Sequence, residues 1–368
     1  MTGSAITVEP ATPEDDPGLR RLLRENPMDG EIRVSLEREP NAFLASAVEG
    51  EPHRTIVARH PELGVIGMGS RSVWNAFVNG EPRRLGYLSQ LRVDRAFRGR
   101  KRLLVAGYEL LRSFRGPDEL PFDLTSIVAD NDAARRLLGA GVPGLPAYQE
   151  IEGWTTLILP TSSRAKRVEG IERGSRERLP EIAAFLDEQR KRYQFAPRFS
   201  VEDLLSPERS RGLSPEDFFL IAGGGAIRGC LALWDQSGFK QVVVRGYAPR
   251  LARMRPWINW MAPLLGTPRL PEPGRNLPHA YISHLGAAVD EPEVFQMMIE
   301  AAYAEARSRR YVYLVVGLAA RHPCLPWLRR RFSPREYASV LYGVDWEKGA
   351  SALASLDGRM PHVEVALL

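Results

Sequence analysis

The residues best suited to chemistry form a basic turn between a strand-like and a helix-like segment. Leu91 and Val93 alternate as at the end of a strand, and Gly99 stands at a turn where glycine can adopt a positive φ. The helix-like segment has apolar residues at helical spacing: Leu103, Leu104, Gly107, Tyr108, Leu111 and Phe114. Positive charges surround its start: Arg98, Arg100, Lys101 and Arg102. Because the first N–H groups of a helix lack partners and carry its positive dipole end, the turn predicts a site for an anion such as a pyrophosphate, the alternative being a solvated basic helix start.

A second strand and helix follow in a suggestive order. Residues 122–128 have the apolar pattern of a strand, and Asn131 is placed to cap a helix that includes Ala134 and Leu138. The order strand, Arg-Gly turn, helix, strand and Asn-led helix resembles that of the GCN5-related N-acetyltransferase (GNAT) family. This resemblance covers about residues 5–160.

The resemblance implies a cofactor and a set of residues that bind it. In the family, the Arg-Gly loop wraps the pyrophosphate of acetyl-CoA, and the Asn-led helix lies near the pantetheine arm. The residues it implies here for acetyl-CoA, or another acyl-CoA, are Leu91, Val93, Arg98, Gly99, Arg100, Lys101, Arg102, Leu103, Asn131 and Ala134. The chain departs from the family where Lys101 replaces the second loop glycine and Leu103 replaces a small residue. A lysine keeps the positive charge but crowds a backbone that glycine lets approach the phosphates.

The candidate catalytic residues are Tyr87, Ser89 and Tyr148. Acyl transfer to an amine needs a base for the amine proton, a donor to the oxyanion and an acid for the departing thiolate. Many relatives use a tyrosine as the acid at the position where this chain has Leu138. Tyr148 is the predicted substitute, and the alternative is that Tyr148 only packs against a strand edge. Tyr87 and Ser89 share one face of the strand that the resemblance places beside the acceptor; the alternatives are packing for Tyr87 and a backbone-bonded hydroxyl for Ser89.

Composition limits the classes of protein. The 368 residues are 44% hydrophobic and 26% charged, which predicts a soluble globular protein, and we expect no membrane partner because the apolar runs are short. Cys230 and Cys324 lack metal-ligand spacing, so we expect neither a disulfide framework nor a metal site. The N-terminus lacks a signal peptide, which predicts a cytoplasmic protein. The net charge of +5 is spread along the chain, so we do not expect a nucleic-acid partner.

The second half repeats the order of elements. It predicts a helix over 177–190, strands over 218–222, 229–234 and 241–245, a strand over 279–285, a helix over 292–310, a strand over 311–316, a helix over 325–331 and a strand over 338–343. We therefore predict an α+β fold of two tandem GNAT-like domains, each a mixed, mainly antiparallel twisted sheet flanked by helices. The predicted division is 1–160 for the acyl-CoA-binding domain, 161–167 for a linker and 168–368 for a degenerate second domain.

The second domain has acidic residues where the basic turn would be. Residues 286–293 read Gly-Ala-Ala-Val-Asp-Glu-Pro-Glu, and their charge would repel a pyrophosphate. We expect this domain not to bind CoA, but to complete the acceptor pocket or to form a homodimer surface.

Three functions compete at this point. The first is an acyl-CoA-dependent N-acyltransferase that acts on a small-molecule or peptide amine by direct attack on the thioester. The second is a tandem-domain transferase that takes an aminoacyl group from tRNA, which Lys101 and the net positive charge would suit. The third is an inactive binding module, which the departures at Lys101, Leu103 and Leu138 favour.

Overall fold

The computed structural model describes residues 6–139, 141–162, 165–166, 168–265, 267–287, 291–347 and 351–368. The strands of the first half are β1 (Thr7–Pro10), β2 (Ile32–Glu37), β3 (His53–His60), β4 (Gly64–Val78), β5 (Glu81–Val93), β6 (Glu119–Val128) and β7 (Ala147–Pro160). Its helices are α1 (Asp16–Glu25), α2 (Ser46–Glu49), α3 (Lys101–Ser113) and α4 (Asp132–Gly139).

The second half supplies the remaining elements. Its strands are β8 (Ile171–Arg173), β9 (Tyr193–Gln194), β10 (Ala196–Pro197), β11 (Phe218–Gly223), β12 (Ala226–Trp234), β13 (Gln241–Tyr247), β14 (His279–Ala287), β15 (Tyr313–Ala319), β16 (Arg335–Asp345) and β17 (Met360–Pro361). Its helices are α5 (Leu179–Arg190), α6 (Val201–Leu205), α7 (Pro249–Leu265), α8 (Pro292–Ser308), α9 (Leu325–Phe332) and α10 (Ser351–Ala354).

One large sheet runs through both halves. Within the described residues its order is β1-β3-β4-β5-β6-β16-β7-β15-β14-β12-β11-β8, with β10 added beside β4. The pairs are antiparallel except β5 with β6 and β14 with β15, which are parallel. Strands β2 and β13, one from each half, form a separate antiparallel pair. The mixed, mainly antiparallel sheet flanked by helices agrees with the predicted fold class.

The two halves exchange their closing strands. Strand β16, from the C-terminal part of the chain, lies between β6 and β7, and β7 lies between β16 and β15. Each half therefore completes its part of the sheet with a strand from the other. The predicted division at residues 161–167 stays a prediction; Thr161 there pairs with the second half through the Val312 carbonyl at 3.0 Å.

The halves repeat a local irregularity as well as an order of elements. In β5, Gln90 has a φ of +57°, and in β14, His284 has a φ of +51°, each where the register of the antiparallel partner shifts. Such a bulge re-aims the backbone that follows it. The sequences around the two bulges match as Tyr-Leu-Ser-Gln-Leu over 87–91 and Tyr-Ile-Ser-His-Leu over 281–285. The repeat is therefore visible in the residues as well as in the fold.

Local sequence patterns predict most of the helices and strands, but not all of them. Asn79 and Gly80 form the turn between β4 and β5, with φ values of 53° and 83° that suit a tight hairpin, and Asn-Gly is a typical sequence for such a turn. Strand β4 runs unbroken for 15 residues. Strand β2 was not predicted, and neither was α7, which lies between β13 and β14 and has no equivalent in the first half.

Candidate functional site

The site begins where the parallel strands β5 and β6 separate. Their pairing runs from Arg84 opposite Glu119 to Tyr87 opposite Leu124 and ends there. Just beyond, Thr125 Oγ1 donates to the Leu88 carbonyl at 2.8 Å, and the left-handed Gln90 turns the strand aside. Strand separation leaves backbone groups that a bound ligand can pair with. A bulge with a positive φ at such a place is a common feature of functional sites.

The basic turn lies at the end of β5 and leads into α3. Gly99 has a φ of +79° with open space around it, as predicted for this turn. Arg98 is engaged within the protein, because its Nη2 donates to Asn26 Oδ1 at 2.7 Å and its Nε to the Val93 carbonyl at 3.2 Å. The guanidinium of Arg100 lies 4.8 Å above the Phe97 ring. Lys101 and Arg102 are exposed in the first turn of α3, so charge and helix dipole act on the same solvent-facing spot.

An apolar groove lies between α3 and strands β1, β3, β4 and β5. Its lining is Val8, Ile56, Ala58, Gly67, Met68, Leu91, Arg92, Val93, Leu103, Leu104, Gly107, Tyr108 and Leu111. Three residues from the predicted cofactor set, Leu91, Val93 and Leu103, therefore lie together along it. Tyr108 also lines the groove, and its hydroxyl is hydrogen-bonded to that of Tyr148. Burial raises the pKa of Tyr108 to about 12 and that of Tyr148 well above its ordinary value, so both stay protonated at neutral pH.

The Asn-led helix, α4, follows β6 on the other side of the gap between β5 and β6. Asn131 Oδ1 accepts from the Ala134 N–H at 3.2 Å, which is the predicted N-cap of α4. Ala134 and Tyr148 pack against the same hydrophobic cluster as Tyr108 and Leu138. The structure thus brings α3, α4 and Tyr148 together around one cluster. Tyr108 was missed because the sequence analysis counted it among the apolar positions of the helix.

Tyr87 and Ser89 lie on the opposite face of the sheet from this groove. Leu88 packs in the cluster of Tyr108, and neighbouring strand residues point to opposite faces. The Tyr87 hydroxyl is hydrogen-bonded across the gap to Ser126 Oγ at 2.7 Å, and burial raises the pKa of Tyr87 to about 12. Ser89 is half-buried opposite Ser70 of β4. Tyr87 and Tyr148, both predicted catalytic residues, are therefore on different faces of the gap.

A row of hydroxyl and imidazole groups continues from Ser70 across β4 and β3. Ser70 Oγ is 3.0 Å from Thr55 Oγ1, Thr55 Oγ1 is 3.1 Å from His53 Nε2, and His53 Nδ1 is 2.8 Å from Ser72 Oγ. Burial lowers the pKa of His53 to about 4, with the nearby Glu49 carboxylate opposing that shift. His53 is therefore a neutral imidazole at pH 7.

A buried charged cluster adjoins this row and joins both halves of the chain. Glu49 pairs with Arg38, accepts from Gln90 Nε2 at 3.3 Å, and lies 3.7 Å from the ammonium of Lys240. Lys240 also donates to the backbone oxygen of Leu368 at 2.9 Å. Burial lowers the pKa of Lys240 to about 8, whereas Arg38 and Lys240 hold the pKa of Glu49 below its ordinary value. Sequence reasoning missed these residues because they are far apart in the chain and match no motif.

The corresponding bulge in the second half is filled by protein. The His284 backbone N–H donates to Glu364 at 3.0 Å, and Arg190 donates to the same carboxylate oxygen at 3.0 Å. The His284 ring lies 4.2 Å from the ring of Phe199 and 5.6 Å from that of Trp234, and burial lowers its pKa well below the ordinary value. Of the acidic segment that precedes α8, residues 288–290 lie outside the described residues.

Neither a metal-binding cluster nor a membrane-spanning helix is found in the described part of the chain. The described side chains include no cluster of three or more histidine, cysteine, aspartate or glutamate residues arranged to hold a metal ion. None of the helices in the described ranges is long and apolar enough to cross a membrane.

Comparison with known proteins identifies the fold. No protein-family model matches the sequence, and no curated protein matches it. Among solved structures, Saccharomyces cerevisiae N-myristoyltransferase with bound myristoyl-CoA is 12% identical over 93% of this chain and 79% of that chain, with a TM-score of 0.60. A GCN5-related N-acetyltransferase from Sphaerobacter thermophilus is 14% identical over 98% of both chains, with a TM-score of 0.54. The GCN5-related glucosamine N-acetyltransferase region of a fungal multi-domain GH3 β-N-acetylglucosaminidase is 12% identical over 93% of this chain and 38% of that chain, with a TM-score of 0.59.

These similarities cover nearly the whole chain and confirm the predicted fold class. The mixed sheet and its flanking helices match the N-myristoyltransferase structures over 93–94% of this chain. This protein therefore has the GNAT fold, which acyl-CoA-dependent N-acyltransferases share.

Proposed function

We propose that this protein is an acyl-CoA-dependent N-acyltransferase, with acetyl-CoA as the first candidate donor and a small-molecule or peptide amine as acceptor. The observation that carries the proposal is the gap between β5 and β6, which has the groove and basic turn on one face and the polar row on the other. Such a gap lets a thioester bound on one side meet an amine that enters from the other. The proposed donor site is the N-terminal one because its helix start is basic and exposed.

The cofactor would be held by the predicted set of residues on the groove side. The pyrophosphate would lie at the start of α3, where Lys101 and Arg102 add charge to the helix dipole. The largely apolar groove bordered by Leu91, Val93 and Leu103 suits the pantetheine arm or a short acyl chain. The hydrogen-bonded pair of Tyr108 and Tyr148 would limit that groove on its inner side.

The acid in this proposal is Tyr87. It stands at the last paired position before the strands separate, and its raised pKa keeps the phenol protonated at neutral pH. A protonated phenol can donate to the developing oxyanion or to the departing thiolate. Ser89, two residues further along the same face, would line the acceptor side.

The base in this proposal is His53, acting through the hydroxyl row. A neutral imidazole can accept the proton that an amine loses when it attacks the thioester. The Ser70 and Thr55 hydroxyls offer a path for that proton to His53 Nε2, while Ser72 is hydrogen-bonded to Nδ1 of the same ring. The Glu49 carboxylate, 3.8 Å from His53 Nδ1, would stabilise the imidazolium that forms. The reaction is a direct attack: the C–N bond forms, the C–S bond breaks, and the thiolate takes a proton.

The test separates an enzyme from an inactive binding module. Titration calorimetry with acetyl-CoA and with longer acyl-CoAs would be run on the wild type, on Lys101→Glu and on Arg112→Glu. Lys101 and Arg112 lie at opposite ends of α3, about 16 Å apart, which exceeds the Debye length in physiological salt. We expect Lys101→Glu to weaken binding at least about tenfold, on the scale of a charge-assisted hydrogen bond, and Arg112→Glu to leave it within about twofold.

Turnover is measured by the free thiol released from the acyl-CoA with a panel of primary amines. Thiol release that requires an amine supports the transferase. Tight acyl-CoA binding without thiol release for any amine would favour the binding module. Absence of acyl-CoA binding would refute the proposal and would favour the transferase that uses an aminoacyl-tRNA donor.

A further inference from the structure

Helix α7 exposes an apolar face that the rest of the described chain leaves uncovered. Met254 is 52% exposed, Trp257 63%, Trp260 68% and Leu264 76%. At 100° per residue, these four side chains fall within an arc of about 120°. Arg255 and Asn259 lie outside that arc and are hydrogen-bonded to the backbone of Leu270. The helix thus has one anchored side and one apolar side that faces solvent.

The same face is basic at its N-terminal end. Arg250 and Arg253 fall within the same arc, and both are exposed. Within the described ranges, neither has a hydrogen bond or ion pair to an acidic side chain, and residues 249–270 include no aspartate or glutamate. Tryptophan is enriched at membrane interfaces, and an arginine on the same face can lay its apolar stem on the acyl boundary while its guanidinium reaches the lipid headgroups.

Helix α7 is also placed to act as an appendage. It belongs to an insertion, β13 to β14, which the first half lacks, and its main packing partner is β13. A contact there would leave the large sheet undisturbed. At its other end the insertion begins beside Lys240, which contacts Glu49 in the candidate site.

A second copy of the chain is a poorer occupant than a lipid surface. A parallel two-fold contact through this face would bring Arg250 and Arg253 of both copies together, and an antiparallel one would set them against the apolar end near Leu264, in neither case opposite an acidic residue of α7. A helix of 17 residues presents a face of about 25 by 10 Å, well below the roughly 800 Å² per partner of a stable protein interface. Anionic lipid headgroups would instead neutralise the arginines while the tryptophan rings enter the interface.

We propose that α7 docks the protein on an anionic membrane surface, with Trp257 and Trp260 inserted at the headgroup level and Arg250 and Arg253 on the lipid charges. This would be attachment to one leaflet, not a span. It revises the expectation from composition that the protein has no membrane partner. The proposal is independent of the acyltransferase activity, because binding is measured without substrate.

The experiment is co-sedimentation of the full chain with vesicles of phosphatidylcholine alone and with one quarter phosphatidylglycerol. We expect binding only to the anionic vesicles, with a blue shift of tryptophan emission, and loss of binding between 0.05 and 0.5 M salt. Arg250→Glu/Arg253→Glu should lower the partition coefficient at least about tenfold, and Trp257→Ser/Trp260→Ser should lower it comparably. The matched controls, Arg83→Glu/Arg330→Glu and Leu63→Ser, alter exposed residues elsewhere and should bind like the wild type.

Two results would overturn the proposal. One is equal binding, or no binding, to the two kinds of vesicle by a folded wild-type protein. The other is a wild-type dimer in light scattering that Trp257→Ser/Trp260→Ser converts to a monomer, since a second copy would then cover the face. Circular dichroism of each variant checks that the fold is retained.

Discussion

Acidification from pH 7.5 to pH 5.5 is expected to remove a large part of the stability of this protein. Burial lowers the pKa of His53 and of His322 to about 4 and that of His362 to about 3, and it lowers the pKa of His279 and of His284 in the same direction. The ordinary value in the unfolded chain is 6.5. Because the unfolded state binds these protons more readily, stability rises with pH. The contribution is present above pH 6.5 and is lost as pH falls toward 4.

The magnitude follows from those values. At pH 5.5 each unfolded histidine is mostly protonated while its folded counterpart is not, which costs roughly 1 kcal/mol of stability relative to pH 7.5. The three groups with pKa values of about 3 to 4 alone give a fall of about 3 kcal/mol or more, against a typical total of about 5–15 kcal/mol. Glu364 acts in the opposite direction, since burial raises its pKa and acid relieves that cost, but it is one group against three.

The assay is urea unfolding followed by circular dichroism at both pH values. His322→Asn is the matched variant: it retains an acceptor for the Cys324 N–H, which His322 Nδ1 now accepts at 3.2 Å, but it does not titrate. Its loss of stability should be smaller than that of the wild type by roughly 1 kcal/mol, the contribution of one histidine. A wild-type loss below about 1 kcal/mol, or an equal loss in the variant, would refute the reasoning.

Three further predictions concern the proposed acyl-transfer site. Lys101→Gly removes a cation but restores backbone access, and we expect acyl-CoA binding to weaken modestly, with a shallower dependence on salt than in the wild type; tighter binding in calorimetry would indicate a decayed loop. Tyr87→Phe should lower kcat about 10²-fold or more in the thiol-release assay, while the Kd for acyl-CoA stays within about twofold. Tyr148→Phe, which removes a phenol on the other face of the sheet, is the variant with which its kcat is compared. His53→Gln should lower kcat/KM to a similar extent at pH 7, and equal activity of this folded variant and the wild type would exclude His53 as the base.

The predictable parts of the molecule are those in which neighbouring residues determine the conformation. The turn at Asn79 and Gly80 and the basic turn at Gly99 need positive φ values, and the residue types show it. The exchange of β7 and β16 has no such signal, because about 190 residues separate the pairing strands and alternation does not specify a partner. Helix α7 was missed because Pro256 interrupts its middle and its apolar residues face solvent, so neither propensity nor burial indicates a helix.

One side of the candidate site could be predicted from the sequence, and the other could not, for the same reason. The groove side follows from a motif that is continuous in sequence, from Leu91 to Leu103. The proposed acceptor side includes Glu49 and His53 of one half, with Lys240 of the other half beside them, and the paired strands β2 and β13 and the shared sheet bring them together. A pattern analysis detects residues that are near in sequence, whereas this cluster depends on tertiary pairing.

The difference between the two bulges predicts one acyl-CoA per chain. Both halves keep the Tyr-x-Ser-x-Leu segment and the left-handed residue, so backbone shape alone would predict two sites. In the second half, Glu364 already accepts from the His284 N–H and so occupies the place where a ligand would bind. At the start of α8, Glu291 pairs with Arg228 and Glu293 is exposed, so the local charge repels phosphate where the start of α3 attracts it. Calorimetry should therefore give a stoichiometry of one, and Lys101→Glu should weaken all of the observed binding; a second equivalent that survives Lys101→Glu would show that the second half binds the ligand as well.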